Sequence, residues 1–141
     1  GRRLIAVGTG FESKNARSRQ SSKLLTWGLT KFDLIQIARA NEPIDKIDVW
    51  LGKKDTVDTH VIEDIYKTIP KARKKLLKVS IKYNGPVEAP ILKDSIVGKL
   101  SVVYDGELIN EYELLASTNV KKLNIFSRLI RSINYLIWGD V

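Results

Sequence analysis

Residues 96–115 read IVGKLSVVYDGELINEYELL, two apolar runs joined by Asp105-Gly106. An Asp-Gly pair is typical of a two-residue β-hairpin, because a type I′ turn needs positive φ at both positions. Residues 77–83, LKVSIKY, alternate apolar and polar side chains, which indicates a strand with one buried and one solvated face. A shorter run at residues 47–51, IDVWL, also has strand character. This spacing predicts a mainly β fold, a small antiparallel β-sandwich over residues 36–118.

The first 35 residues have a different pattern. Residues 3–7, RLIAV, are predicted to form a short strand that ends at Gly8. Ser13 is placed to cap a following helix. The apolar positions of that helix share one face: Ala16, Leu24, Leu25, Gly28, Leu29 and Phe32. Gly28 on this face costs roughly 1 kcal/mol relative to alanine, so we expect a close contact or a helix end there.

Composition places the chain among folded proteins of one domain, or of one small domain plus pieces. It has 141 residues, of which 43% are hydrophobic and 28% charged. No cysteine is present, which excludes a disulfide scaffold and thiol chemistry. No signal peptide is visible and the first residue is not methionine. We therefore expect the chain to be a fragment or a processed product.

The net charge of +8 is concentrated at the two ends of the chain. Lys and Arg outnumber Asp and Glu by eight to two in residues 1–41 and by four to one in residues 121–141. Residues 42–120 are nearly balanced, with twelve against thirteen. The lysine-rich run at 71–82 has no aromatic residue before Tyr83, whereas a platform for stacked bases needs aromatics. A solvated strand and turn explains this run better than a nucleic-acid site.

Residues 124–138, NIFSRLIRSINYLIW, have the pattern of an amphipathic helix. At 100° per residue, seven apolar side chains fall within an arc of roughly 140°. These side chains belong to Ile125, Phe126, Leu129, Ile130, Ile133, Leu136 and Ile137. The opposite face carries Arg128, Arg131 and Trp138, and Lys121 and Lys122 precede the segment. Together these twelve residues are the predicted membrane-binding set.

The segment is too short and too charged to span a bilayer. Its fourteen residues from Ile125 to Trp138 would extend about 21 Å, less than the ~30 Å of a hydrocarbon core. Two central arginines would each cost roughly 2.5–3.5 kcal/mol on insertion. A helix lying in the interface avoids both costs. From the pattern alone, docking of this helix on protein is an equal alternative.

Residues with catalytic or metal-binding potential are sparse. His60 is the sole histidine, and no second His or Cys completes a zinc site, so neither a metal site nor a cofactor is predicted. A strand or surface role is the simplest interpretation of His60. The carboxylate pairs Asp45 with Asp48 and Glu63 with Asp64 are expected to face solvent. We find no Ser-His-Asp spacing and no phosphate-binding glycine loop.

An ordered set of short motifs gives the chain a family resemblance. The set comprises RLIAV at 3–7, SKLLTWG at 22–28, VWLG at 49–52, TIP at 68–70, AP at 89–90 and VG at 97–98, before the basic amphipathic end. In this order the chain resembles the C-terminal portion of low-molecular-mass penicillin-binding proteins of the penicillin-binding protein 5 type. These proteins are the D-alanyl-D-alanine carboxypeptidases of the bacterial cell envelope. The resemblance covers essentially all 141 residues.

The resemblance implies a three-part organisation. Residues 1–35 correspond to the closing strand and last helix of the α/β penicillin-recognising catalytic domain, residues 36–118 to the β-sandwich domain, and residues 119–141 to an amphipathic membrane anchor. It also implies attachment to the periplasmic face of the inner membrane, with the lipid surface as partner. Peptidoglycan or cell-wall enzymes are further partners that it allows.

The catalytic elements of this family are missing from the chain. A nucleophilic serine with lysine three residues later would let the amine take the hydroxyl proton, and no serine here has that neighbour. The strings at 13–15 and 132–134 match Ser-x-Asn but lie where the family has other structures. Lys67-Thr68 is followed by isoleucine rather than glycine. The parent protein is thus expected to be a serine-type carboxypeptidase of cell-wall maturation, with no catalytic residue in this chain and no activity of the chain alone.

Two other functions remain open at the level of sequence. One is a non-catalytic interaction module whose tail docks on protein, and it predicts a tail that is helical without lipid. The other is a basic nucleic-acid-binding β domain, suggested by the sequence pI of about 9.7, and it predicts binding that weakens steeply with salt.

Overall fold

The computed structural model describes residues 3–124, which form one α-helix followed by strands. Helix α1 spans Lys14–Lys31, and the Ser13 hydroxyl caps it by accepting a 3.1 Å hydrogen bond from the Ala16 amide. Of the predicted helical face only Ala16 is buried, while Leu24 and Leu29 are half exposed. A Cβ at Gly28 would lie 3.1 Å from Leu4, so the expected close contact is present.

Eight strands and one 3₁₀ helix come after α1. The strands are β1 Phe32–Ala38, β2 Lys46–Trp50, β3 Thr56–His60, β4 Ile65–Pro70, β5 Leu77–Lys82, β6 Val87–Glu88, β7 Ile96–Tyr104 and β8 Glu107–Ala116. The 3₁₀ helix, Lys71–Leu76, connects β4 to β5, and we call it the basic turn.

The strands form two sheets. The larger sheet has the order β5-β7-β8-β3-β2-β6, and β1 pairs with β4 in a separate two-stranded sheet. All pairings between the strands are antiparallel except that of β2 with β6. The mainly β antiparallel fold predicted from the sequence is therefore confirmed, with the helix ahead of the strands.

The core joins the two sheets. One cluster combines Ala38 and Ile65 of the small sheet with Leu100 and Leu114 of the large one. A second cluster lies under β2, β3 and the ends of β7 and β8, and it includes Ile47, Val57, Val97, Ala116 and Val120. Ile81 packs against both clusters. Fully burying each aliphatic side chain of this core contributes roughly 1.5–3 kcal/mol.

The predicted hairpin is present at the expected residues. β7 and β8 pair on either side of Asp105 and Gly106, whose φ angles are 53° and 86°. Both angles are positive, as a type I′ turn requires. The predicted strand at 77–83 is β5, and the predicted run at 47–51 overlaps β2.

The N-terminal segment differs from the sequence prediction. Residues 3–12 form neither helix nor strand, so the strand expected at residues 3–7 is not formed. A strand needs a hydrogen-bonding neighbour, and within residues 3–124 none pairs with this segment. The predicted domain boundary between residues 35 and 36 falls inside β1. The division into three domains stays a prediction.

Candidate membrane-facing end of the domain

Only two members of the predicted membrane-binding set lie in the described part of the chain. They are Lys121 and Lys122, which come directly after the last core residue, Val120. The other ten, Ile125, Phe126, Arg128, Leu129, Ile130, Arg131, Ile133, Leu136, Ile137 and Trp138, lie outside the described residues. The site that the structure shows is thus the base from which the predicted helix departs.

Backbone hydrogen bonds fix this base to the sheet. Val120 and Ile91 donate to each other's carbonyls at 2.8 Å and 2.9 Å. The Lys53 amide donates to the Lys121 carbonyl at 2.8 Å, and the Leu123 amide donates to the Leu51 carbonyl at 2.9 Å. Because these bonds come from both sides of the segment, residues 120–123 belong to the folded domain rather than to a free linker.

Gly52 permits this close approach. A Cβ on Gly52 would lie 2.7 Å from a Val49 methyl and 2.8 Å from a Val120 methyl. It would also lie 2.9 Å from the Lys54 carbonyl oxygen, a backbone atom that does not move easily. A side chain at position 52 would therefore displace residues 120–123 from the β2–β3 turn.

Lysines from two distant parts of the sequence meet at this end. Lys53 and Lys54 in the β2–β3 turn are exposed, and the backbone bond to Lys121 brings them beside Lys121 and Lys122. Asp55 follows the two lysines of the turn, and Glu88 of β6 forms a 3.0 Å ion pair with Lys122. We call the four lysines the basic end. Sequence analysis missed Lys53 and Lys54, since only the pairing of Gly52 with Lys122 reveals their position.

The basic end and the basic turn lie at opposite ends of β8. The basic turn is held beside the hairpin turn, where Arg73 forms a 3.5 Å ion pair with Asp105. Lys121 and Lys122 of the basic end instead follow Ala116, the last residue of β8. A ten-residue strand is about 30 Å long. The two lysine clusters can therefore be altered independently.

His60 lies in a polar cluster at the edge of a groove of about 550 Å³. Its Nδ1 is 3.1 Å from the Ser117 hydroxyl, and its Nε2 is 3.4 Å from an Asp94 carboxylate oxygen. Sequence analysis found no Ser-His-Asp arrangement, because these partners are distant along the chain. The Ser117 amide already donates to the Asp58 carbonyl, so it is not free to stabilise an oxyanion. We interpret the cluster as a structural link between β3, β8 and the turn before β7.

A second polar cluster lies on the solvated face of β5, β7 and β8. The Glu111 carboxylate accepts hydrogen bonds from Lys99 at 3.2 Å and from the buried Ser101 hydroxyl at 3.1 Å. Lys82 lies 3.8 Å from the same carboxylate. The hydrogen bond from Lys99, supported by that from Ser101, lowers the pKa of Glu111 below its usual range. These contacts join three neighbouring strands.

The sequence strings that resemble catalytic motifs lie in a helix cap and in a strand, as far as the structure describes them. Ser13 caps α1, and Lys67 and Thr68 lie in β4. The Lys67 ammonium contacts the Asn110 side chain and lies 5.9 Å from the centre of the Tyr112 ring. The string at 132–134 lies outside the described residues. Within residues 3–124 no three His, Asp or Glu side chains lie together as metal ligands. In the same part of the chain no helix combines the length and the hydropathy that a membrane span requires.

Comparison with known proteins identifies relatives along most of the chain. Residues 32–122 match the family described as penicillin-binding protein 5, C-terminal domain. The chain is 31% identical over 135 residues to the D-alanyl-D-alanine carboxypeptidase DacA of Escherichia coli K12, covering 95% of the chain and 34% of the relative. It is 32% identical over 131 residues to DacD of Salmonella typhimurium, covering 91% and 33%. The chain thus spans about a third of the length of these curated relatives.

Solved structures agree with this relationship. Penicillin-binding protein 5 from Haemophilus influenzae superposes with a TM-score of 0.64 at 27% identity, covering 78% of this chain and 32% of that one. The carboxypeptidase DacD of Francisella tularensis gives a TM-score of 0.58 at 30% identity, covering 81% and 29%. Both the sequence and the fold therefore show that this chain belongs to the family of penicillin-binding protein 5 C-terminal domains.

Proposed function

We propose that this chain is the C-terminal part of a serine-type D-alanyl-D-alanine carboxypeptidase that acts in cell-wall maturation. Two observations support this proposal. The curated relatives are named D-alanyl-D-alanine carboxypeptidases, and the match extends over nearly the whole chain. The chain aligns with about a third of each relative. It has no Ser-x-x-Lys element, so it supplies no nucleophile and is inactive alone.

The role of the chain itself is to space the catalytic domain from the membrane and to hold it there. One observation carries this role: residues 120–123 are bonded to both the β2–β3 turn and Ile91. A helix that continues from a fixed base transmits its attachment to the whole β domain. The chain enters the β domain at Phe32, opposite Pro70 and next to the basic turn, whereas the predicted anchor leaves from the other end of β8.

The partner in this account is an anionic lipid surface at the periplasmic face of the inner membrane. Each lysine of the basic end that comes near such a surface adds roughly 1 kcal/mol of attraction. The predicted anchor adds Arg128 and Arg131 and an apolar face. Attraction of the basic end to the lipid and insertion of the apolar face then both strengthen binding to the membrane. Peptidoglycan and cell-wall enzymes are secondary partners in this proposal.

The two lysine clusters permit a matched test of this orientation. Lys53→Glu/Lys54→Glu alters the basic end, and Lys74→Glu/Lys75→Glu makes the same change of charge in the basic turn. With anionic vesicles of phosphatidylglycerol and phosphatidylcholine, the first variant should bind at least about tenfold more weakly than the unaltered chain. The second should bind nearly as well as the unaltered chain. Equal weakening by both variants would contradict an oriented attachment through the basic end.

A further inference from the structure

The outer edge of β5 is open. β5 is the first strand of the six-stranded sheet and pairs only with β7 among residues 3–124. Alternate residues of an edge strand direct their N–H and C=O groups away from the sheet. The Leu77 amide donates to the Lys74 carbonyl, whereas over residues 78–82 the outward groups find no backbone partner in the described part of the chain. Such an edge can accept a further strand.

The side chains of β5 alternate in a way that an additional paired strand could match. Val79 faces the core side, opposite the fully buried Val102, yet 44% of its surface is exposed. Lys78, Ser80 and Lys82 alternate with it on the solvated side. An added strand with apolar residues at every second position would cover Val79. Its intervening residues would lie beside the lysines.

The charge of the side chains around the edge of β5 determines which kind of additional strand can bind there. Lys71 is paired with Asp33 at 3.6 Å and Arg73 with Asp105 at 3.5 Å. Lys74, Lys75 and Lys78 have no acidic partner within residues 3–124 and are exposed. The open edge thus begins beside three lysines whose charge the domain leaves unbalanced, which favours an acidic partner.

A second copy of the chain and its own tail both fit this edge poorly. Antiparallel pairing of two β5 strands centred on Ser80 would place Lys78 of one copy opposite Lys82 of the other, and like charges in that position are destabilising. Residues 125–141 contain two arginines and one aspartate, so they repel the same lysines.

We propose that the edge of β5 docks an extended, acidic segment of a partner protein, which adds to the six-stranded sheet as a further strand. Its acidic residues occupy alternate positions, beside Lys78 and Lys82, and its apolar residues cover Val79. One end of the segment lies against the basic turn. This interaction is independent of membrane attachment, since the basic turn and the basic end are at opposite ends of β8.

A short synthetic peptide that alternates glutamate with valine is a direct probe, with binding to the full chain measured by fluorescence anisotropy. Lys74→Glu/Lys75→Glu/Lys78→Glu should weaken binding about tenfold, while Lys53→Glu/Lys54→Glu should leave it unchanged. Equal effects of the two variants, or stronger binding of an oligonucleotide of the same charge, would overturn the proposal.

Backbone methylation separates strand addition from attraction by charge alone. Two forms of the peptide carry N-methyl groups at every second residue, in the two possible phases. Because alternate amides face the same edge, one phase should abolish binding and the other should retain it. The unmethylated peptide should also slow amide hydrogen exchange within β5. If both methylated forms bind like the parent peptide, the segment does not pair with β5 and the proposal is wrong.

Discussion

The backbone amides of Val120 and Ile91 donate to each other's carbonyls, at 2.8 Å and 2.9 Å, close to the end of the described residues. Val120 is also almost fully buried, with 2% of its surface exposed, among the residues of the core beneath β2 and β3. The last described segment is therefore anchored in the hydrophobic core. This relationship makes the C-terminal end of the domain a fixed support for the predicted amphipathic helix.

Truncating the Val120 side chain should therefore destabilise the domain. Val120→Ala removes buried methyl groups and leaves a cavity, so the free energy of unfolding should fall by about 2 kcal/mol. Val7→Ala is the matched control, because 89% of Val7 is exposed. Urea denaturation monitored by tryptophan fluorescence measures both. Equal stability of the two variants would show that residues 120–123 are not held by the core.

The β7–β8 hairpin should depend on the residue at position 106. Gly106 has a φ of 86°, where a β-branched side chain is strained by roughly 1–2 kcal/mol. We expect Gly106→Val to lower the free energy of unfolding by that amount and Gly106→Asn to lower it much less, since asparagine tolerates positive φ. Chemical denaturation of the two variants checks this. A larger loss with asparagine than with valine would contradict the type I′ assignment.

Glu111 should make a pH-dependent contribution to stability. The hydrogen bonds from Lys99 and Ser101 lower its pKa in the folded state from the usual 4.5, so the unfolded chain binds more protons in the window between the two pKa values. The contribution is present above pH 4.5 and is lost as the pH falls through the lowered pKa. The loss of stability caused by Glu111→Gln should thus be larger at neutral pH than in acid.

Denaturation curves across this pH range measure the Glu111 contribution. Glu107→Gln, an exposed glutamate at the start of the same strand, controls for removal of one carboxylate. If the effect of Glu111→Gln did not change with pH, the hydrogen bonds to Glu111 would not favour its charged form.

The chain alone should not react with penicillin. A covalent adduct needs a nucleophilic serine activated by a neighbouring lysine, and no serine of this chain has lysine three residues later. Incubation with a fluorescent penicillin and then denaturing gel electrophoresis should therefore give no labelled band. The positive control is a full-length carboxypeptidase of the family. A labelled band from this chain that unlabelled penicillin suppresses would contradict the proposed division of roles.

The sequence predicted β5 from the difference between its two faces, and β7 and β8 from their apolar runs and the turn between them. Leu77, Val79 and Ile81 alternate with polar residues, so β5 was visible in the sequence, although none of its residues is fully buried and 44% of Val79 is exposed. β3 was not visible in the sequence, because its residues TVDTH are mostly polar. Thr59 and His60 are nevertheless buried, and each finds a hydrogen-bond partner elsewhere in the chain: the Asp45 carbonyl for Thr59 and the Ser117 hydroxyl for His60. Local pattern does not reveal such distant partners.

The same limit applies to the candidate site. Lys121 and Lys122 were predicted because they adjoin the amphipathic tail. Lys53 and Lys54 join them through hydrogen bonds between segments almost seventy residues apart, and neither the charge pattern nor hydrophobic periodicity reports such a pairing. The glycine at position 52 is the one local signal, since a close backbone approach favours this residue.

Co-sedimentation with anionic liposomes tests the membrane role most directly. The full chain should be compared with a chain that ends at Asn124, because ending it at Asn119 would also remove the core residue Val120. We predict that the full chain sediments with the liposomes while the shortened chain, still folded, stays in solution. If both chains stay in solution, or both sediment equally, residues 125–141 are not the membrane anchor and the proposed attachment is wrong.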